Sequence, residues 1–167
     1  MEVSILMSED THRQGKTIDD LNEGDSLTVN ESVADRDILL YLGMTNDNNP
    51  LYIQDEYAKN MGYKAAIVPP VLLTGIITRS VSKLLPGPGS QVVNLSVNFI
   101  LPVYHEEDVT FTFEVIKVDD MKEVVTLSVT GVNDENCRIV DAVVMVRPPI
   151  KAALMSNDEN ESAEVSV

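Results

Sequence analysis

Cysteine is all but absent: Cys137 stands alone among 167 residues. A lone cysteine excludes an intramolecular disulfide and any multi-thiolate metal site. Cys137 lies in a strand-like stretch and reads as a small buried hydrophobe. Positive charge is also scarce. Twelve Lys and Arg stand against 27 Asp and Glu, a net charge of −15, and the cations form no run. Binding to a phosphate backbone needs clustered cations, so nucleic acid is not expected as a partner, and an anionic membrane face would repel this surface. Long hydrophobic runs are missing as well. No segment approaches the roughly 20 apolar residues of a spanning helix. The opening MEVSILMSED has neither the basic start nor the apolar stretch of a secretory leader, so a cytoplasmic protein is expected. Aromatic residues make up 5% and tryptophan is absent. No metal-ligand cluster, phosphate loop or dinucleotide fingerprint occurs, and no metal or cofactor is expected.

What remains is an ordinary globular composition, 44% apolar. The length suits one domain, and a chain near 150 residues buries about 68–70% of its unfolded surface. Residues 1–16 show no clear period and read as loosely attached. The stretch at 151–167 ends in SNDENESAEVSV, which is polar and acidic and reads as a dispensable disordered tail. The folded domain is then 17–150, without internal repeats.

Ser26–Val33 reads as a first strand, with Leu27, Val29 and Val33 on its apolar face. A helix follows from Ala34 or Asp35 to about Met44. Ile38, Leu39, Leu42 and Gly43 fall at helical spacing, and Asp35 and Asp37 suit its first turn. TNDNNP at 45–50 is dense turn chemistry. A short helix over Asp55–Asn60 comes next. Pro69-Pro70 then precedes an apolar helix at 71–85, ended by Pro86-Gly87-Pro88-Gly89. Its apolar residues cover more than one stripe, so it is expected to be buried on most sides.

The rest alternates as β-strands. In Gln91–Val103, Val93, Leu95, Val97, Phe99 and Leu101 share one face; Val109–Val118, Val124–Val132 and Arg138–Val146 follow the same rule. YHEED, DDMKE and NDEN are short and polar, as hairpin connections are. The pattern predicts a four-stranded antiparallel meander covered by the 71–85 helix. A long helix wrapped by an antiparallel sheet is an α+β hot-dog fold.

Three strings add a resemblance. Asp47-Asn48-Asn49-Pro50-Leu51-Tyr52 resembles the D-x-N-P-[LI]-H motif of the MaoC-like (R)-specific enoyl-CoA hydratases and dehydratases. Ile67-Val68-Pro69-Pro70-Val71-Leu72 stands where that family has I-[AV]-H-G-x-L, before its central helix. Asn98-Phe99-Ile100-Leu101-Pro102-Val103 is similar to its R-F-x-x-P-V strand. The resemblance spans about residues 17–147. It implies a hot-dog homodimer that takes an acyl-CoA or acyl-carrier-protein thioester. It also implies Asp47 and Tyr52 at the catalytic positions, with Asn49, Pro70, Val71, Leu72 and Thr74 around the substrate.

The departures bear on activity. The family's reaction adds water across a trans-2-enoyl thioester, with an Asp and a His sharing the water. Here Tyr52 replaces the His, and a tyrosine starts near pKa 10 against about 6.5 for histidine. Pro70 replaces the glycine at the oxyanion position and has no N–H, so Val71 or Leu72 would have to donate. Hydratase activity is therefore expected to be weak or lost, leaving an acyl-thioester binding protein. The alternatives are an active hydratase or dehydratase using Asp47 as base, and a hot-dog thioesterase. Without the resemblance, Asp47 is a turn residue. His105, beside Glu106, Glu107 and Asp108, reads as a solvated loop histidine, and His12 is assigned nothing. Arg79 and Lys83 either meet CoA phosphates or make surface contacts. Thr74 and Thr78 either line the pocket or bond their own helix carbonyls.

Overall fold

The structure, a computed structural model, describes residues 14–150. The predicted tail at 151–167 and residues 1–13 of the predicted loose segment, His12 among them, lie outside the described residues. The elements run β1 (Ser26–Ser32), α1 (Asp35–Thr45), α2 (Asp55–Asn60), α3 (Pro70–Lys83), β2 (Gln91–Phe99), β3 (Asp108–Asp119), β4 (Val124–Asn133) and β5 (Arg138–Arg147). Short 3-10 turns occupy Ile18–Asp20 and Pro50–Tyr52. The five strands form one antiparallel sheet in the order β1-β3-β4-β5-β2.

The core lies between the sheet and α3. Phe111, Phe113 and Val115 alternate inward on β3, as their period requires. They join Leu127 and Val129 of β4, Ile139 and Val144 of β5, and Leu73, Ile77 and Val81 of α3 in one cluster. Full burial of such a side chain is worth roughly 1.5–3 kcal/mol. Gly131 faces this cluster: a Cβ there would stand 2.5 Å from Val140 Cγ1 and 3.3 Å from the Phe111 ring. The arrangement is the hot-dog fold, α+β, as the pattern predicts.

Several details depart from the sequence reading. β2 does not pair with the strand that follows it. It pairs with β5 and forms one edge of the sheet, so YHEED carries the chain across the sheet rather than round a hairpin. The meander proper is β3-β4-β5. Within β2 the register shifts between Val92 and Asn94. Val92, Leu95 and Val97 therefore pack on the core, while Val93 is exposed. The strand also stops at Phe99, and Phe99 and Leu101 are both exposed.

On α1 only Ile38 is buried, with Leu42 partly so; Leu39 is 63% exposed. Helix α3 is covered on one stripe, Leu73, Ile77, Ser80 and Val81, and not on most sides. Val71 and Leu84 are exposed in the single chain. Thr78 and Ser80 turn their hydroxyls to carbonyls of their own helix, which lets Ser80 sit buried among apolar neighbours. Residues 15–16 are docked rather than loose, because the Lys16 N–H meets Pro86 O at 2.8 Å and Gly15 is buried against Pro88. Cys137 sits in the β4–β5 turn, half-buried and not in the core.

Candidate active site

The site begins at the end of α1. Asn46 caps that helix in the left-handed region (φ 56°, ψ 29°), a conformation asparagine tolerates. The cap swings Asp47 back over the last turn. Thr45 reinforces the fold-back: its hydroxyl donates to Tyr41 O at 2.7 Å and accepts the Asp47 N–H at 3.3 Å. The Asp47 carboxylate then meets two donors. The Tyr41 hydroxyl donates to Oδ2 at 2.9 Å, and the Asn49 N–H donates to Oδ1 at 3.2 Å.

Asn49 passes the chain on. Its side chain accepts the Leu51 N–H at 3.1 Å, capping the Pro50–Tyr52 turn. Pro50 fits at the start of that turn because its missing N–H would be unpaired there anyway. The turn is tied to the segment leading into α3: the Ile67 N–H meets Leu51 O at 2.9 Å. That segment is held in turn by the sheet side, through Val68 N–H to Val103 O at 2.8 Å and a bridge between Ile67 and Tyr104. Asp55, at the start of α2, accepts the Ala66 N–H at 2.8 Å. These bonds hold the Tyr52 turn beside the approach to the N-terminus of α3.

Asp47, Asn49 and Tyr52 are all half-buried. The Tyr41 hydroxyl is held above the ordinary tyrosine pKa. The chief cause is its hydrogen bond to Asp47, followed by burial and the Asp47 charge; Thr45 opposes the rise and Tyr52 adds to it slightly. Tyr41 was not foreseen. It stands six residues before Asp47, off the helical i, i+4 spacing, and only the Asn46 reversal brings the two together.

At α3, Pro69 is buried and Pro70 occupies the first helical position. The Leu72 N–H is turned back to Pro69 O at 3.0 Å. Of the two donors considered in place of residue 70, Val71 is the one whose N–H that bond leaves uncommitted. Thr74 Oγ1 faces Pro70 O at 3.5 Å, and Thr78 bonds the carbonyls of Thr74 and Gly75, so both serve their own helix. Arg79 is paired with Glu31 of β1. His105 is not a free loop side chain. Its Nδ1 lies 2.9 Å from Asp35 Oδ1, and its Nε2 is buried without a partner among the described residues. Among those residues no group of three or more His, Cys, Asp or Glu is placed to hold a metal.

Comparison with known proteins places this arrangement. The profile of the MaoC like domain matches residues 15–136. An (R)-specific enoyl-CoA hydratase from Rhodospirillum rubrum is 32% identical over 127 residues, covering 76% of this chain and 84% of that protein. Among solved structures, the R-hydratase PhaJ1 from Pseudomonas aeruginosa superposes with a TM-score of 0.76 at 25% identity, over 83% of this chain and 88% of that one. An (R)-hydratase from A. caviae involved in PHA biosynthesis gives 0.73 at 24% identity, over 77% and 98%, and supports the fold. The chain belongs to the MaoC-like family, hot-dog proteins that include hydratases and dehydratases of acyl thioesters. No helix among the described residues is long and apolar enough to cross a membrane.

Proposed function

We propose that this chain binds an acyl thioester, acyl-CoA or acyl-carrier-protein linked, at Asp47, Tyr52 and the first turn of α3, and that its hydratase activity is weak or lost. Asn49, Pro70, Val71, Leu72 and Thr74 complete the neighbourhood of that ligand. The observation that supports the reading is the hydrogen-bonded route from Asp47 through Asn49 and Leu51 to Ile67, which ties the turn that carries Asp47 and Tyr52 to the segment leading into α3. A helix N-terminus favours a developing negative charge.

Hydration requires a base to take one proton from water as its oxygen bonds to C3. A proton must then be delivered to Cα as the enolate collapses. Asp47 can accept the first proton. A phenol is ordinarily a far poorer base near neutral pH than an imidazole, so Tyr52 cannot share the first task with Asp47 as the family's histidine does, and general acid–base help of this kind is worth about 10²–10⁴-fold. The oxyanion is served by one fewer N–H because position 70 is proline. Both deficits lie in the chemistry and not in binding.

β2, one of the two edges of the sheet, is a strand without lysine or proline. An unprotected edge of this kind favours pairing with a second copy, and the proposed protein is a cytoplasmic homodimer. The deciding experiment follows loss of the conjugated enoyl absorbance of crotonyl-CoA beside release of free CoA. The expected result is binding with slow or undetectable hydration and no CoA release. Brisk hydration abolished by Asp47→Ala would replace this reading with an active hydratase, and CoA release with a thioesterase.

A further inference from the structure

We propose that Tyr41 is a positioning residue, which fixes the Asp47 carboxylate for its ligand. The inference rests on the reading of Asp47 given above. An ionised carboxylate offers about four lone-pair directions. Two are filled from within the chain, by the Tyr41 hydroxyl on Oδ2 and the Asn49 N–H on Oδ1. One direction on each oxygen is left for a water or a ligand hydroxyl. With both oxygens engaged, the carboxylate cannot spin about its terminal bond, so the free directions are fixed in space.

The geometry is built specifically. Tyr41 and Asp47 lie six residues apart, across a left-handed cap, and Thr45 ties the Tyr41 carbonyl to the Asp47 N–H. The phenol hydroxyl and the backbone thus clamp the same residue from two sides. A phenylalanine at 41 would keep the ring and lose only the bond to the carboxylate. Hydrogen bonds to charged groups are the stronger kind, and their loss is felt wherever the charged group must be oriented. Tyr41 acts through Asp47 and is not assigned a step of its own.

Two measurements test the proposal on the full chain. The first follows the ring carbon resonance of Tyr41 against pH in ¹³C-tyrosine-labelled protein. In the parent protein Tyr41 titrates above ordinary tyrosine, and in Asp47→Asn its midpoint falls back towards about 10. A midpoint indifferent to Asp47→Asn overturns the contact, whatever the protein does with thioesters. The second uses calorimetry with (R)-3-hydroxybutyryl-CoA, whose hydroxyl is the group Asp47 would hold, together with crotonyl-CoA hydration wherever turnover is detected.

Tyr41→Phe should weaken binding about ten-fold. Where there is turnover, it should lower kcat with KM little changed and shift the pH profile. Parent-like affinity and rate in Tyr41→Phe overturn the positioning role even if the resonance responds to Asp47. If Asp47→Ala binds the probe as the parent does, the proposed site itself has failed and the role of Tyr41 falls with it.

Discussion

The sheet-forming stretch from Gln91 to Arg147 and the segment from Tyr41 to Pro70 are held together by different forces. The first is apolar and periodic. β3, β4 and β5 bury Phe111, Phe113, Leu127, Ile139 and Val144 against α3, and each position follows from alternation. The second buries few large side chains. Among its residues only Ala58, Ala66, Ile67, Val68 and Pro69 are buried, and its shape comes from single hydrogen bonds such as Tyr41 to Asp47, Leu51 to Asn49 and Ala66 to Asp55. Burial is cooperative and tolerant of detail, whereas each bond in the second region sets one direction. A scaffold of the first kind carries a site of the second.

The largest expected effect breaks the first region. Phe113→Ala removes a fully buried ring that pairs across to Leu27 of β1. It should cost about 3–5 kcal/mol in urea unfolding, the usual range for Phe truncation in a core. A loss below about 1 kcal/mol would mean the sheet and helix do not share one core.

Next come variants that act on the second region and leave stability nearly alone. Tyr52→His should raise crotonyl-CoA hydration only in part, because the oxyanion deficit at Pro70 persists. Adding Pro70→Gly should give more, on the scale of about 10²–10³-fold that one oxyanion donor contributes. Equal rates in the single and double variants would show that residue 70 does not face the thioester oxygen.

Alkaline pH separates the regions a third way. The folded pKa of Tyr41 is raised, chiefly by its bond to Asp47. Stability from that bond is therefore fully present below the ordinary tyrosine value of about 10 and is lost as pH climbs through the higher folded value. The stability gap between the parent and Tyr41→Phe should hold steady through neutral pH and narrow above it. A gap that widens with alkali would reverse the sign and remove the Tyr41–Asp47 bond as its cause.

The two regions also differed in how far the sequence revealed them. Phe111, Phe113 and Val115 could be placed because a strand has only two faces. The short Asp55–Asn60 helix was also placed with its observed bounds. The pairing of β2 with β5 was not, since alternation says which face a residue occupies but not which strand lies beside it. In the site, Asp47 and Tyr52 were singled out by motif. Tyr41 escaped because its approach depends on the φ of one residue, Asn46, and no side-chain period encodes that. His105 escaped similarly: its partner Asp35 is 70 positions away.

The smallest expected effect tests a place where the period itself misled. Strict alternation along Gln91–Val103 puts Val93 on the face of Leu95 and Val97. The register shift between Val92 and Asn94 gives that inward place to Val92 instead. One residue of slip flips a side chain to the other face, so the two valines should answer differently to the same change. Threonine matches valine in shape and adds a hydroxyl. At Val92, which packs on the core, that hydroxyl loses water and should cost about 1 kcal/mol or more. At Val93, 42% exposed, it stays hydrated and should alter stability by no more than about 0.5 kcal/mol. Matched urea denaturation of Val92→Thr and Val93→Thr measures the difference. If Val93→Thr is the costlier, β2 keeps an unbroken alternation and the bulge is absent in solution.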